Sequence, residues 1–354
     1  MQRQGSREVQ GVKNMWYTKE GKDNNIVLSS RVRLARNLSG YAFPGKLDDA
    51  KSAELIEKIR TVFEGKEGWS FTDCTALKTP EKAALLEKHI ISREFAEKKS
   101  PAALLANEEK SVYIMLMEED HLRLQCITPG LDLTTALEAV FEAEAWIDEA
   151  FEIAYTENLG YLTHCPTNLG TGLRASAMLH LPAYTKAGGI RNLTLQLSKL
   201  GMTIRGMNGE GSAPSANLYQ ISNEVTLGIT EEETVAKLNE VVGKIAAKEW
   251  ELREKMDANQ KEDAADRAMR TIGMMLYANK LNAGELVSMY SDLRLAASMK
   301  MITIPVQLLD EMFFTSMPNT LIAENEEARA AAVRDKLRAE KIRLLLAKAG
   351  FSRN

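Results

Sequence analysis

The sequence predicts an α+β domain followed by a smaller helical one. Three observations carry this. The length of 354 residues suits two domains at roughly 150 residues each. Short apolar runs and glycine-rich loops dominate up to about residue 230. From Thr230 onward glycine thins out, and apolar residues recur with helical spacing almost to the end, interrupted near Pro305 and Pro318.

Each element has a local reason. Residues 26–34 read as a strand carrying polar side chains, and residues 51–63 place apolar positions on one helical face. Thr79, Pro80 and Glu81 supply an N-cap, a proline in the first turn and an acid near the positive helix end, which predicts a helix through Ile90. The runs 111–117 and 121–127 flank Glu118, Glu119 and Asp120, as in an antiparallel pair joined by an acidic turn. Asp132 caps a helix reaching about residue 150, and another helix lies near 191–200. The polar run 258–263 separates two helical stretches, which puts the domain boundary near residues 258–264.

Composition narrows the function. Lys+Arg 45 against Asp+Glu 49 gives a net charge of -4, so no bulk positive field draws in nucleic acid or anionic lipid, and any anion site must be local. The cysteines Cys74, Cys126 and Cys165 are too few and too scattered for a disulfide scaffold or a zinc site. The first 25 residues are polar, and no stretch reaches the roughly 18 apolar residues of a membrane span. These features point to a cytoplasmic enzyme or regulator.

Acidic residues are unevenly placed. Between Glu157 and Glu210 lie 52 residues without Asp or Glu, where the chain average predicts about seven. This stretch holds Arg174, Lys186, Arg191, Lys199 and Arg205, and a second acid-free stretch, residues 24–47, holds Arg31, Arg33 and Arg36. Both read as walls of a site for a multiply charged anion, because carboxylates would repel it while guanidinium forks bind phosphate oxygens bidentately. Arg31 and Arg33 alternate onto one strand face, and Arg174 and Arg205 neighbour glycines that would let backbone amides approach a phosphate. The alternative for any single arginine is a solvated surface position.

The loop from Cys165 to Gly172 joins an apolar run to a predicted helix. Its Gly170-Thr171-Gly172 fits G-x-G-x-x-A through Ala175, but the acid that a dinucleotide site needs about 20 residues on is absent. No Walker A sequence occurs either, so a nucleotide here would be held by arginines. Cys165 lies where guanidinium charge and the Thr167 hydroxyl would favour a thiolate; a lone cysteine is otherwise inert core. The Glu118-Glu119-Asp120 turn reads as solvated surface when taken alone. Glu210 ends the acid-free stretch between glycines, five residues after Arg205, which suits a carboxylate facing a cationic substrate group.

Together these residues resemble the phosphagen kinases, ATP:guanidino phosphotransferases such as arginine and creatine kinase. The matching pieces stand in family order: Ser30-Arg31-Val32-Arg33, Glu118-Glu119-Asp120-His121-Leu122-Arg123, Cys165-Pro166-Thr167-Asn168-Leu169-Gly170-Thr171-Gly172, Arg205 through Glu210, and Ile221-Ser222-Asn223. The resemblance implies a phosphagen kinase/glutamine synthetase-like catalytic domain with an antiparallel sheet and flanking helices. It implies that Arg31, Arg33, Arg123, Arg174 and Arg205 grip the phosphates of ATP brought with Mg2+, with His89 near the nucleotide. Glu119 and Glu210 would hold the guanidinium, with Cys165 alongside.

Two departures refine the resemblance. The Ser30-Arg31-Val32-Arg33 piece stands too early for the helical domain that closes over free arginine or creatine, and a helical region follows the catalytic part. This arrangement is similar to the bacterial protein-arginine kinase branch, of the McsB type. Arg334, Asp335 and Arg338 match its phosphoarginine-binding segment, within a tail from Glu326 to Asn354 that holds eight Lys/Arg against four Asp/Glu. The implied organisation is a polar extension over 1–25, a catalytic domain over 26–258, and a helical domain over 264–354 serving dimerisation and phosphoarginine binding. Implied partners are arginine-bearing proteins, including a heat-shock repressor, a zinc-binding activator and a Clp unfoldase-protease that degrades marked proteins. The alternatives are a kinase of free arginine and a phosphoarginine-binding adaptor.

Overall fold

The computed structural model describes residues 15–207 and 215–353. In chain order these form β1 (Val27–Arg36), α1 (Asp49–Val62), β2 (Trp69–Asp73), α2 (Thr79–Glu87), α3 (Arg93–Ala96), β3 (Ala103–Asn107), β4 (Val112–Leu116), β5 (Leu122–Pro129) and α4 (Leu133–Asp148). A short hairpin, β6 (Tyr155–Thr156) and β7 (Gly160–Tyr161), leads to β8 (Leu173–His180), α5 (Pro182–Lys186), α6 (Ile190–Lys199), β9 (Met202–Gly206), β10 (Leu218–Asn223) and α7 (Glu231–Glu254). The remainder is helical: α8 (Ala258–Tyr277), α9 (Ala283–Ser298), α10 (Val306–Thr315), α11 (Pro318–Glu324) and α12 (Ala331–Lys348).

Eight strands make one antiparallel sheet in the order β2-β3-β4-β5-β1-β8-β10-β9. Because side chains alternate across a strand, its register sorts residues into two faces. Val32, Leu34, Leu122, Leu124, Leu173, Ala175 and Ile221 point to one face and join the buried cluster formed with α1, α4, α6 and α7. The other face is polar towards the β4–β5 turn. Towards the start of β1 it is apolar, where Ile127, Met178 and Leu218 join the core of α8 to α12.

The helical C-terminal region is fastened to the sheet by buried polar contacts. Arg294 of α9 donates to the carbonyls of Asn24 and Asn25 at 2.7 and 3.1 Å and pairs with Asp310 at 3.0 Å. Arg253 of α7 pairs with Glu249 at 2.7 Å and donates to His180 O at 2.8 Å and to Ser298 Oγ at 2.6 Å. Glu87 closes the second junction: its carboxylate accepts the backbone amides of Asn319 and Thr320 at 2.9 and 2.7 Å, capping the positive end of α11.

Four local expectations change. The first-turn cap of α2 is Lys78 with Thr79 already helical, and the helix stops at Glu87 because His89 takes a φ of 60°. The polar run 258–263 forms the first turns of α8, capped by Asp257, so the interruption between α7 and α8 is only residues 255–257. The Cys165–Gly172 loop enters strand β8, where a helix was predicted. Residues 15–17, read as polar extension, are buried: the rings of Trp16 and Tyr17 lie 4.8 and 5.3 Å from Phe314 of α10.

Candidate active site

The sheet register sets four of the five predicted phosphate-binding arginines on its polar face, with the fifth on the same face at the edge. Arg33 of β1 stands opposite Arg174 of β8 and Gln125 of β5, while Arg123 stands opposite Ala35 one row nearer the β4–β5 turn. Arg31 stands opposite Ser176, and Arg205 of β9 opposite Gln220, in the row of Met178 and Ser29. With strands about 4.8 Å apart, this is a diagonal of positive charge running from Arg205 to Arg123. Arg205 also faces Glu224 at 3.9 Å.

His89 joins them. Gln125 Nε2 donates to His89 O at 3.0 Å and Ile90 O at 2.6 Å, and this fixes the turn that follows α2. The imidazole lines a small cavity with Arg31, Ser29, Ser176, Gln220 and Trp16. Burial, with Arg31 and Arg33 adding to it, drops the His89 pKa to about 3, so the ring is neutral at physiological pH. Burial and the Arg123 charge bring Arg31 down to about 10, and burial with the charges of Arg31, Arg123 and Arg174 holds Arg33 well below its usual value. A cluster of cations this crowded favours an anion.

Arg123 is matched by a buried carboxylate. Glu118 is buried and takes Arg123 Nη1 on both oxygens at 2.8 and 2.7 Å. Burial alone would loosen the Arg123 proton, but Glu118 outweighs it and raises the pKa. Ser92 Oγ donates to Glu118, and Lys98 Nζ donates to Glu118 O at 2.6 Å, so the acidic turn is built in and not the solvated loop its composition suggests.

Glu119 is half-buried on that turn. Its carboxyl is pushed above the usual range chiefly by burial, with Asp120 and Glu118 adding to the shift and Arg123 opposing it. β8 runs antiparallel to β1, so the loop before β8 reaches the same end of the sheet. There Asn168 Nδ2 approaches Glu119 Oε1 at 3.5 Å. Cys165 Sγ lies 3.1 Å from Thr167 Oγ1, which accepts from Arg174 Nη2 at 3.4 Å. Asn223 supports this corner: its side chain binds Ala175 N and Leu173 O at 2.8 and 3.0 Å, and its carbonyl accepts from Arg174 Nη1 at 3.2 Å. Glu210 lies outside the described residues.

Several expectations are corrected. Arg36 is buried, paired with Glu144, stacked 3.4 Å over the Tyr161 ring and donating to Thr171 O at 2.8 Å, so it belongs to the core and not to an anion wall. Lys186, Arg191 and Lys199 are exposed on α5 and α6, and α6 packs on the opposite face through Leu193 and Leu197. The glycines of the Cys165 loop serve the protein's own backbone. A Cβ on Gly170 would meet Thr226 O at 2.1 Å, and one on Gly172 would meet Ala35 O at 2.7 Å.

In the C-terminal region Arg338 is buried and donates to Ser316 O, Leu281 O and Asp335 Oδ1 at 2.9, 2.7 and 2.7 Å. Arg334 Nη1 donates to Ala328 O at 3.2 Å. Arg338 Nη2 and Arg334 Nε are buried without a hydrogen-bond partner.

The residues that sequence reasoning left without a role are Glu118, Asn37, Asp120, Asn168, Asn223 and Gln125. The run of three acids between two apolar strands was the available signal for Glu118 and Asp120. The amide side chains carry no charge pattern that would single them out.

Comparison with known proteins identifies the fold and the family. Residues 52–252 match the family model for the ATP:guanido phosphotransferase C-terminal catalytic domain, and residues 261–353 match that for the protein-arginine kinase McsB C-terminal domain. A protein-arginine kinase of Pelotomaculum thermopropionicum is 38% identical over 317 residues, 88% of this chain and 89% of that one. One from Clostridium acetobutylicum is 36% identical over 337 residues, 91% of this chain and 99% of that one. Among solved structures, lombricine kinase matches with a TM-score of 0.56 and 24% identity over 73% of this chain and 74% of its own. The duplicated taurocyamine kinase of Schistosoma mansoni matches with a TM-score of 0.58 and 24% identity over 66% of this chain, which spans 34% of that protein's length. Sheet, arginine diagonal and both family models converge: the chain belongs to the ATP:guanido phosphotransferase family, in its protein-arginine kinase branch.

Proposed function

We propose that this chain transfers the γ-phosphoryl group of ATP to arginine side chains of proteins. The observation that carries the reading is the diagonal of Arg31, Arg33, Arg174 and Arg123, which ends beside Glu119 and Cys165. A triphosphate laid along the arginines has its terminal phosphorus at the end where a guanidinium meets a carboxylate. Among the described residues no group of three or more His, Cys, Asp or Glu is placed to hold a metal. Mg2+ enters as part of the Mg·ATP substrate, where it and the arginines share the phosphate charge.

A guanidinium holds its proton in water and has no free lone pair for attack. Glu119 and Glu210 orient it and take one proton from the attacking nitrogen. That nitrogen then forms the P–N bond as the bond from phosphorus to the bridging oxygen breaks and ADP leaves. Cys165 faces the same guanidinium, and its sulfur, tied through Thr167 to Arg174, tunes the local charge. His89 contributes a neutral ring beside the nucleotide.

The test is mass spectrometry under non-acidic conditions on proteins incubated with Mg·ATP, since acid hydrolyses the P–N bond. Phosphoarginine is expected with the parent chain and absent with Glu119→Gln or Glu210→Gln; full activity in both variants overturns the assignment. Phosphorylation of free arginine in place of protein would favour the small-metabolite reading, and binding of phosphoarginine without turnover the adaptor reading.

A second site, for phosphoarginine at Arg334, Asp335 and Arg338, is supported by the two unpartnered guanidinium nitrogens there. A division between a catalytic and a helical domain is supported by the two family-model matches, which end at residue 252 and begin at residue 261, and by the break at residues 255–257 between α7 and α8. Homodimerisation through the C-terminal domain is supported by the exposed Met274 and Tyr277 on α8 and Leu344 on α12. Among the described residues no helix is long and apolar enough to cross a membrane. We assign the chain to the cytoplasm, with a zinc-binding activator and a Clp unfoldase-protease as partners.

A further inference from the structure

Glu119 and Cys165 come from segments far apart in sequence, the β4–β5 turn and the loop before β8. Neither segment is held there by the ladder of the sheet, which ends at Leu122 on β5 and at Leu173 on β8. Backbone bonds close each segment on itself, Met117 N to His121 O at 2.9 Å and Tyr161 N to Gly170 O at 2.8 Å, and side chains tie the one to the other. Asp120, next to Glu119, is buried, and its Oδ1 accepts two donors: the backbone amide of His164, next to Cys165, at 2.7 Å and Asn37 Nδ2 at 2.6 Å.

Asn37, itself buried just beyond the end of β1, closes the arrangement. Its Oδ1 accepts the backbone amide of His121 at 2.9 Å, and its Nδ2 also donates to Leu162 O at 3.0 Å. His121 Nδ1 accepts the amide of Leu38 at 3.1 Å, so the other ring nitrogen donates to Ala42 O at 2.9 Å. The strand that carries Arg31 and Arg33 thus ends in a residue that grips both the Glu119 turn and the Cys165 loop.

We infer that Asp120, with Asn37, is a positioning residue that sets the distance between Glu119 and Cys165 and hence the aim of the guanidinium at the end of the arginine diagonal. The inference rests on the phosphotransfer reading above. It follows from geometry: a reacting nitrogen must meet phosphorus in line, and a misplacement of about 1 Å costs on the order of 10²-fold in rate. ATP is gripped by strand residues that this link does not touch, so the link governs turnover and not nucleotide binding. Asp120 Oδ2 is buried with no hydrogen-bond partner, so an asparagine keeps an oxygen that accepts both donors while giving up the charge and placing its amide group at the atom that makes no bond.

The experiment compares Asp120→Ala, Asp120→Asn and Asn37→Ala in the full chain. Asp120→Ala and Asn37→Ala are expected to lower kcat by about 10²-fold with KM for ATP within about twofold of the parent, and Asp120→Asn to recover most of kcat. Amide hydrogen exchange at His164 should accelerate in Asp120→Ala but not in Asp120→Asn, with β1 and β8 still protected. A kcat for Asp120→Ala close to the parent overturns the inference. So does an equal change in kcat and KM for ATP, an asparagine variant no better than alanine, or unchanged His164 exchange. If the parent chain made no phosphoarginine in proteins, the function reading would fall while the exchange measurement still decided whether Asp120 holds the two segments together.

Discussion

Glu118 binds Arg123 through both of its oxygens, at 2.8 and 2.7 Å, and is a buried carboxylate on the arginine face. This pair divides the diagonal into a compensated end at Arg123 and an uncompensated middle at Arg31 and Arg33. Removing one partner of a fully buried pair typically costs about 3–5 kcal/mol. Glu118→Ala would leave Arg123, whose side chain is 20% exposed, so the chain is expected to lose less than that in urea denaturation, while KM for ATP rises because Arg123 is free to swing. A variant as stable as the parent would remove Glu118 from the account.

The uncompensated middle makes the opposite prediction. Arg33 has its pKa depressed by burial and by three neighbouring guanidinium groups, and its Nε has no hydrogen-bond partner. Arg33→Met should leave the free protein at least as stable as the parent, because it removes repulsion. Tripolyphosphate at a hundred times its Kd should stabilise the parent by about 2.7 kcal/mol, a rise of several degrees in Tm. That rise should shrink sharply in Arg33→Met. Equal shifts in both proteins would place the anion elsewhere.

Glu119 carries a pH signature in both activity and stability. Its carboxyl is raised above the ordinary range, mainly by burial. Since the carboxylate must be ionised to take a proton, the acid limb of kcat/KM for the arginine substrate against pH, which reports the free enzyme, should lie above that of a solvent-exposed glutamate. For stability, a raised folded-state pKa means the folded chain binds more protons, so its contribution is present below the unfolded pKa and lost as pH rises through the folded one. Glu119→Gln should therefore gain stability over the parent as pH rises from the unfolded glutamate value into the neutral range, while losing activity. A stability difference that does not change with pH across that window would contradict the assignment.

These predictions draw unequally on what the sequence made legible. Strand β1, the acidic hairpin of β4 and β5, the Asp132 cap of α4 and the helical half after Thr230 were readable because each rests on local pattern, and the structure reproduces them. The absence of carboxylates over long stretches picked out Arg31, Arg33 and Arg174. It also picked out Arg36, which is a core residue paired with Glu144 from a distant helix. Composition cannot separate these cases, since an arginine beside a phosphate and one beside a buried carboxylate look alike until the sheet register is known. Taken alone, the acidic turn reads as solvated surface for the same reason: Glu118 is buried only because Arg123, Ser92 and Lys98 converge on it from three segments.

The C-terminal segment supplies the last prediction. Arg338 spends three bonds on the carbonyls of Ser316 and Leu281 and on Asp335, which fixes its fork while leaving Nη2 unsatisfied, and Arg334 Nε is unsatisfied nearby on the same helix. Buried donors without acceptors cost free energy that a phosphoryl oxygen would recover. Arg334→Ala combined with Asp335→Ala is expected to weaken a phosphoarginine peptide at least tenfold in titration calorimetry while leaving Mg·ATP turnover near the parent level. Arg338→Ala is the less informative change, because losing its bonds to Ser316 and Leu281 would loosen the packing of α12 and lower Tm along with affinity. Lysine at position 334 sharpens the result: it keeps the charge but not the planar fork, so affinity should stay low if bidentate binding is the mechanism. Recovery of full affinity by lysine would mean that charge alone suffices, and unchanged affinity in the double alanine variant would remove phosphoarginine from this site.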